Sequence, residues 1–425
     1  MNAVKKIGVI VLLLFSAHSF ALSLEKDFPE MFTVRISNPL KTPRENVLIV
    51  LKPELISTSG KKFNDKAFVV LDGKKEIPSQ YNDKDRDNTG IVFVLGKLNA
   101  SESRDIVVRF HPTASVHRAY PKLTQAELSW KKGGEWKDRV YIGGTFENID
   151  YLRVPPEQKD HSYFLRYEGP GWESDKVGYR FYLDQRNATD VFGKKISEPV
   201  LQQVGLDGYD SYHLAQPWGM DVMNVGKSLG IGSIGSVIDG VTTRVEKTDS
   251  VNCRITENGD VYSSILTNYY GWKIGNQKHN VQSRLSIHSG TRLTHEMLDV
   301  SGTPDNIATG LIKDKLAKLF TAKGDNTHWA YLATYGKQSL NDPKDELGIA
   351  VFFKPSTVSG YSEDEFSHIV KLNPVQGKID YYFLAAWVGE PGGIKDEAHF
   401  LEYINTVSAE LASEIKVEMK NPRSR

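Results

Sequence analysis

Short runs of β-branched and aromatic residues, separated by turn formers, recur along the chain and restrict it to an antiparallel β architecture. FTVRIS (32–37), NVLIVL (46–51), KAFVVLDG (66–73), TGIVFVLG (89–96) and RDIVVRF (104–110) carry side chains that suit a pleated, half-buried surface. Clusters of Pro, Gly, Asn and Asp separate them, including the run from Asn82 to Asn88. This spacing predicts a small β-sandwich over 22–118. The segment 111–125 reads as a crossing into a larger domain, 119–425. Strand signals continue there at 127–130, 177–185, 241–246, 262–272, 284–288, 329–335, 348–353 and 380–388. Two helices are expected, 308–320 and 395–415, the second with Phe400, Leu401, Ile404, Val407 and Leu411 on one face. So few helices among so many strands exclude a doubly wound sheet. The expected fold is mainly β: a small N-terminal β-sandwich, then a large antiparallel β-sandwich with a C-terminal helix.

The first residues, MNAVKKIGVIVLLLFSAHSFALS, have the order of a secretory leader: Lys5 and Lys6, an apolar run, then Ser19-Phe20-Ala21. The apolar run is too short to span a bilayer. Cleavage after residue 21 is expected, giving an exported protein of the periplasm. Cys253 is the single cysteine, so no internal disulfide can form. Lys and Arg total 53 against 53 Asp and Glu, so no net charge draws the chain to nucleic acid or an anionic membrane. No later segment is apolar enough to span a membrane.

Three motif-like stretches lack the context their chemistry needs. Gly230-Ile231-Gly232-Ser233-Ile234-Gly235 has dinucleotide-binding spacing, but the residues after it read as strand where a helix N-terminus is required. Gly226-Lys227-Ser228 has Asp221 where a phosphate loop needs glycine. His295-Glu296-Met297-Leu298-Asp299 lacks the second histidine of a zinc helix. No cofactor and no metal site are expected.

The densest chemistry lies in RYEGPGWESDKVGYRFYLDQRN (166–187). On an extended strand Val177, Tyr179, Phe181 and Leu183 share one face, and Arg180, Tyr182, Asp184 and Arg186 the other. Arg180 and Arg186 then flank Asp184 and could grip a ligand carboxylate in bidentate fashion. A plain surface salt-bridge ladder is the competing account. The preceding turn-rich loop sets Trp172, Glu173 and Asp175 at the strand's mouth, as in sugar sites where rings stack and acids bind hydroxyls. A second constellation runs from Tyr212 to Asp221 and on to Lys227. Pro217 and Gly219 fix a turn around Trp218, and His213 and Asp221 flank it. His213 titrates near neutrality and could move a proton.

The blocks YEGPGWESDKVGYRFYLDQRNATDVFGKK and YHLAQPWGMDVMNVGKSLGIG, with ISNPLKTPRENVLIVL near the N-terminus, resemble a bacterial family designated domain of unknown function 4861. The resemblance covers nearly all of the chain beyond the leader. It implies an exported protein encoded beside lyases and unsaturated-uronyl hydrolases in gene clusters for uronate-rich polysaccharides such as pectin. It singles out Trp172, Glu173, Ser174, Asp175, Tyr179, Arg180, Asp184, Arg186, Asp190, Lys194, His213, Trp218 and Asp221. The chain departs from the family pattern at Gln216-Pro217, where an acidic residue is expected. The large sandwich is similar in outline to mutarotase-like carbohydrate enzymes, a likeness of fold alone.

The expectation is therefore a periplasmic carbohydrate-active protein acting on acidic, uronate-containing oligosaccharides. Arg180, Arg186, Trp172, Asp175, Asp184, Trp218 and Lys227 are the expected substrate-binding residues, and His213, Glu173 and Asp221 the catalytic ones. Two chemistries fit. In β-elimination His213 or Tyr212 removes the proton beside the carboxylate. In hydrolysis Glu173 and Asp221 act as acid and base. The alternatives are a non-catalytic oligouronate-binding protein and a structural protein in which the charges brace the sheet.

Overall fold

The computed structural model describes residues 24–420, so the expected leader over 1–21 lies outside the described residues. The chain forms two units. The first comprises residues 24–121 with 414–420. Its two antiparallel sheets close on Val34, Ile36, Ile49, Leu51, Ile91, Phe93, Ile106 and Val108. One sheet has five strands in the order Lys416–Met419, Glu30–Ser37, Ser103–Phe110, Phe68–Asp72, Lys75–Ile77. The other has Arg44–Leu51, Gly90–Leu98 and Ser79–Asn82. The tail returns here because Lys416–Met419 pairs antiparallel with Glu30–Ser37, burying Val417 and Met419 against the same core.

The second unit, Lys122–Ser413, is built on a nine-stranded antiparallel sheet. Its order is Tyr151–Arg153, Ser250–Asn258, Tyr262–Ile274, Gln277–His288, Leu293–Val300, Lys378–Trp387, Leu347–Phe353, Ala330–Gly336, Ala317–Ala322. Against one face pack two five-stranded sheets, and the shared core includes Trp172, Tyr179, Phe181, Ile265, Leu285, Val351 and Phe383. On the other face lies the helix Glu397–Ala412. It is capped by Asp396, which accepts from His399 N (2.8 Å), and it buries Phe400, Ile404 and Val407 against Tyr335, Phe352 and Leu384. No described helix is long and apolar enough to cross a membrane.

The helix expected over 308–320 does not form. Residues Ile307–Ile312 and Ala317–Ala322 are strands of two different sheets. Ile307–Ile312 is buried on both faces and pairs with Ser367–Leu372, and this burial overrides the weak helical pattern of its apolar residues. Gly310 is also packed against a neighbouring strand, where a Cβ would stand 2.0 Å from the His368 carbonyl oxygen.

Candidate functional site

The sheet that carries the charged stretch runs Gly219–Asp221, Thr189–Lys194, Val177–Phe181, Gly171–Ser174, Thr124–Glu127. Strand alternation divides it cleanly. Trp172, Tyr179, Phe181 and Val191 face the nine-stranded sheet. Register pairs Arg180 with Asp190 and Gly171, Gly171 with Glu127, and Phe192 with Asp221. Glu127, Glu173, Arg180, Asp190, Lys194 and Asp221 therefore share the opposite face. That face is not open to water. Residues between 200 and 212 roof it, with Val200, Leu201, Val204, Tyr209 and Tyr212 packed on Phe192 and Tyr167. Gly171 permits the close approach, since a Cβ there would stand 2.7 Å from the Tyr167 hydroxyl and 3.0 Å from Leu201 Cδ1.

Arg180, 1% exposed, is the hub. Its Nη2 donates to Asp190 Oδ2 and Asp221 Oδ2, both at 2.7 Å, and its Nε to Asp190 Oδ2 at 3.1 Å. Its Nη1 donates to the Tyr212 hydroxyl (2.9 Å) and the Tyr167 carbonyl (3.4 Å). These acceptors use all five N–H groups of the guanidinium, leaving no free donor for a ligand carboxylate. The Tyr182 hydroxyl donates to Asp190 Oδ2 at 2.9 Å. Burial and the neighbouring Asp190 push the Asp221 carboxyl well above the usual carboxylate range, against the opposing pull of Arg180.

At the solvent edge His213 Nε2 lies 3.5 Å from Asp221 Oδ2, and its side chain is 46% exposed. Partial burial and the Arg180 charge lower its pKa from the ordinary 6.5, so the imidazole is neutral at pH 7. Neutral, it can accept a proton. Trp218, half-buried, flanks the same roof, 5.9 Å from the Phe192 ring.

Arg186 forms a neighbouring junction. The strand ends at Phe181, because Asp184 accepts from the Arg186 backbone N–H (2.8 Å) and a turn returns through Asn187, whose φ is +39°. Arg186 therefore curls back over the Tyr182 ring, 4.0 Å from its centroid, where a straight strand would have projected it beside Arg180. It reaches Asp184 Oδ2 (2.6 Å), Glu168 Oε1 (2.6 Å) and Asp160 Oδ1 (2.7 Å). The segment supplying Asp160 and Glu168 holds His161, Tyr163, Tyr167 and Glu168 at φ values of +57°, +58°, +34° and +71°. Each such non-glycine costs on the order of 1 kcal/mol. Asp160, His161 and Glu168 bring one ligand atom each within 4.8 Å of one another, but both carboxylates are engaged by Arg186, so the trio fits an ion-pair junction better than a metal centre.

The structure thus gathers Arg180, Arg186, Asp184, His213, Trp218 and Asp221 around one sheet edge, and leaves four expected site residues elsewhere. Trp172 is a core residue, 1% exposed, stacked on Tyr179 and donating to Thr294 Oγ1 at 2.8 Å. Glu173 is enclosed and accepts from Lys194 Nζ (2.6 Å), Val200 N and Leu201 N (2.8 Å each), so it ties the roof to the sheet. Asp175 accepts from Gly290 N (2.5 Å) in a turn of the nine-stranded sheet. Lys227 is exposed, 5.6 Å from the Phe366 ring. Arg180 does not bracket Asp184; its carboxylate partners are Asp190 and Asp221. Asp160 and Glu168 were absent from the expected site. Asp190, singled out by the family resemblance but not placed in the expected site, is the hairpin partner of Arg180 across the turn at Asp184–Asn187.

A cavity of about 410 Å³ lies apart from this cluster, lined by other strands of the second unit.

The chain belongs to the family described as Domain of unknown function (DUF4861), whose model matches residues 36–417. No curated protein matches the sequence. Two solved structures are similar over 92% of the chain. One is an alpha-mannosidase from Enterococcus faecalis V583, at a TM-score of 0.47 and 8% identity. The other is a protein of glycosyl hydrolase family 38 from Enterococcus faecalis, at 0.45 and 9%. The chain spans about half the length of each, 46% and 47%.

Proposed function

We propose that this DUF4861 member is an exported, carbohydrate-active enzyme of uronate-containing oligosaccharides, with His213 as its base. The observation that carries the reading is the half-exposed imidazole, its pKa lowered, 3.5 Å from a buried carboxyl and hydrogen-bonded to the Tyr209 backbone. In β-elimination the His213 imidazole takes the proton from the carbon beside the uronate carboxylate. The C–H electron pair becomes the new double bond, the C–O bond to the leaving sugar breaks, and the leaving oxygen acquires a proton from water. Asp190 and Glu168 supply the negative charge that favours the imidazolium. Arg186 is the cation within reach of solvent, and a substrate carboxylate can replace the half-exposed Asp160 on its Nη1. Elimination is favoured over hydrolysis because Glu173, the second carboxyl that hydrolysis would need, is enclosed with Lys194.

A second reading is capture without turnover, in which Arg186 grips the ligand carboxylate in place of the half-exposed Asp160 and no reaction follows. The two separate on incubating purified protein with saturated and 4,5-unsaturated oligogalacturonides, oligoalginates and rhamnogalacturonan fragments, followed by mass spectrometry. A new unsaturated uronate supports elimination. Binding with no mass change in any oligosaccharide supports capture.

A further inference from the structure

The cavity of about 410 Å³ lies where two sheet edges meet. Ala317–Ala322 is the last strand of the nine-stranded sheet, and Val358–Glu363 the last of the five-stranded sheet ending in Ser367–Leu372 and Val358–Glu363. Among the described residues each pairs on one side only, so its outer backbone N–H and C=O groups face no described strand. Leu332 and Ile369, both buried, contribute to an aliphatic floor. The Tyr361 ring stands at the wall, and the residue is 45% exposed.

The polar groups of this lining differ from those of the Arg180 cluster in being unspent. Among the described residues the Thr321, Ser362 and Tyr361 hydroxyls and the Lys323 ammonium form no side-chain hydrogen bond or ion pair. Glu363 is committed to Lys313 (3.1 Å) and approaches His368 (3.6 Å). Among the described residues Lys323 is thus the lining's charge without an ion-pair partner. An apolar floor, a half-exposed aromatic ring, free hydroxyls and one free cation together suit a ring with an apolar face, equatorial hydroxyls and a carboxylate. We infer that this cavity is a second binding site, receiving one or two acidic pyranose rings and holding the oligosaccharide away from His213. From the preceding reading the inference takes only that the ligand is an acidic sugar; proton transfer at His213 is no part of it.

The test is calorimetric titration of the full-length chain with trigalacturonate and with its methyl ester, in wild-type and His213→Gln backgrounds, with mass spectrometry verifying that the probes stay intact. Tyr361→Ala and Thr321→Trp, which respectively remove the ring and fill the space, should each weaken binding of both probes on the order of tenfold. Lys323→Gln should weaken trigalacturonate several-fold and leave the ester within about twofold. All three residues lie on edge strands or just beyond one, so the variants fold; unchanged melting temperatures verify this. Unchanged affinity in all three variants, or no binding of either probe, overturns the inference even where the wild type proves catalytic. Loss of binding in these variants, with no turnover of any oligosaccharide by the wild type, retains this site and removes the enzymatic reading instead.

Discussion

His213 Nε2 and Asp221 Oδ2 stand 3.5 Å apart, one half-exposed and the other enclosed, so a single contact joins solvent to a buried charge cluster. Asp221 reaches Arg180 at 2.7 Å, and Arg180 reaches Asp190 at the same distance. A charge change on the imidazole is therefore felt by a fixed array with little freedom to reorganise, which is the condition for electrostatic stabilisation.

Arg180 binds both Asp190 and Asp221 at 2.7 Å. Arg180→Met should destabilise the fold by about 3–5 kcal/mol, because Asp190 and Asp221 are left buried without their cation. Denaturant unfolding measures this. A variant as stable as the wild type, with only ligand binding weakened, would restore Arg180 to the role of a carboxylate clamp.

Glu173 and Lys194 are both enclosed, 2.6 Å apart. Glu173→Leu and Lys194→Met should each cost about 3–5 kcal/mol, and the double variant less than the sum of the two. A double-variant cycle by chemical denaturation reads the coupling. Additive losses would show that the pair is not what fastens the roof.

The lowered pKa of His213 fixes a pH dependence. The base is active when neutral, so kcat/KM should rise with pH through an acid limb whose midpoint lies below 6.5. An acid limb at or above that value would remove His213 from the role of base.

Glu296 supplies a stability test away from the site. Full burial pushes its carboxyl up to about 8, although the Ser283 hydroxyl donates to it at 2.6 Å. Between the ordinary value of 4.5 and about 8 the folded chain keeps a proton that the unfolded chain has released. Stability therefore falls as pH rises through this window, by at most ~1.4 kcal/mol per pH unit from this group. Glu296→Gln should flatten that slope. An identical pH profile in the variant would contradict the assignment.

The β architecture was legible because alternating β-branched and aromatic runs leave few other folds for such a chain. The C-terminal helix was legible from the spacing of Phe400, Ile404 and Val407. The 308–320 segment misled because Ala308 and Leu311 also fit a helical face, and only the strand Ser367–Leu372, distant in sequence, decides between the two. In the site, alternation put Tyr179 and Arg180 on opposite faces correctly. It could not show that the Arg180 face is roofed, because the roof is a loop with no periodicity. Nor could it show that Asp184 turns Arg186 back on itself. Glu173 and Trp172 looked like mouth residues because the sequence shows their chemistry and not their depth.

The most direct measurement compares wild type and His213→Gln on trigalacturonate, following the absorbance of the unsaturated uronate with mass spectrometry of the products. His213 is half-exposed, bonded to the Tyr209 backbone and packed on the Tyr212 ring, so His213→Gln should leave stability within about 1 kcal/mol, which a melting curve checks. The account predicts a new double bond with the wild type and a rate lower by at least ~10²-fold with the variant. Equal rates in the two proteins, or no unsaturated product from the wild type, would contradict it.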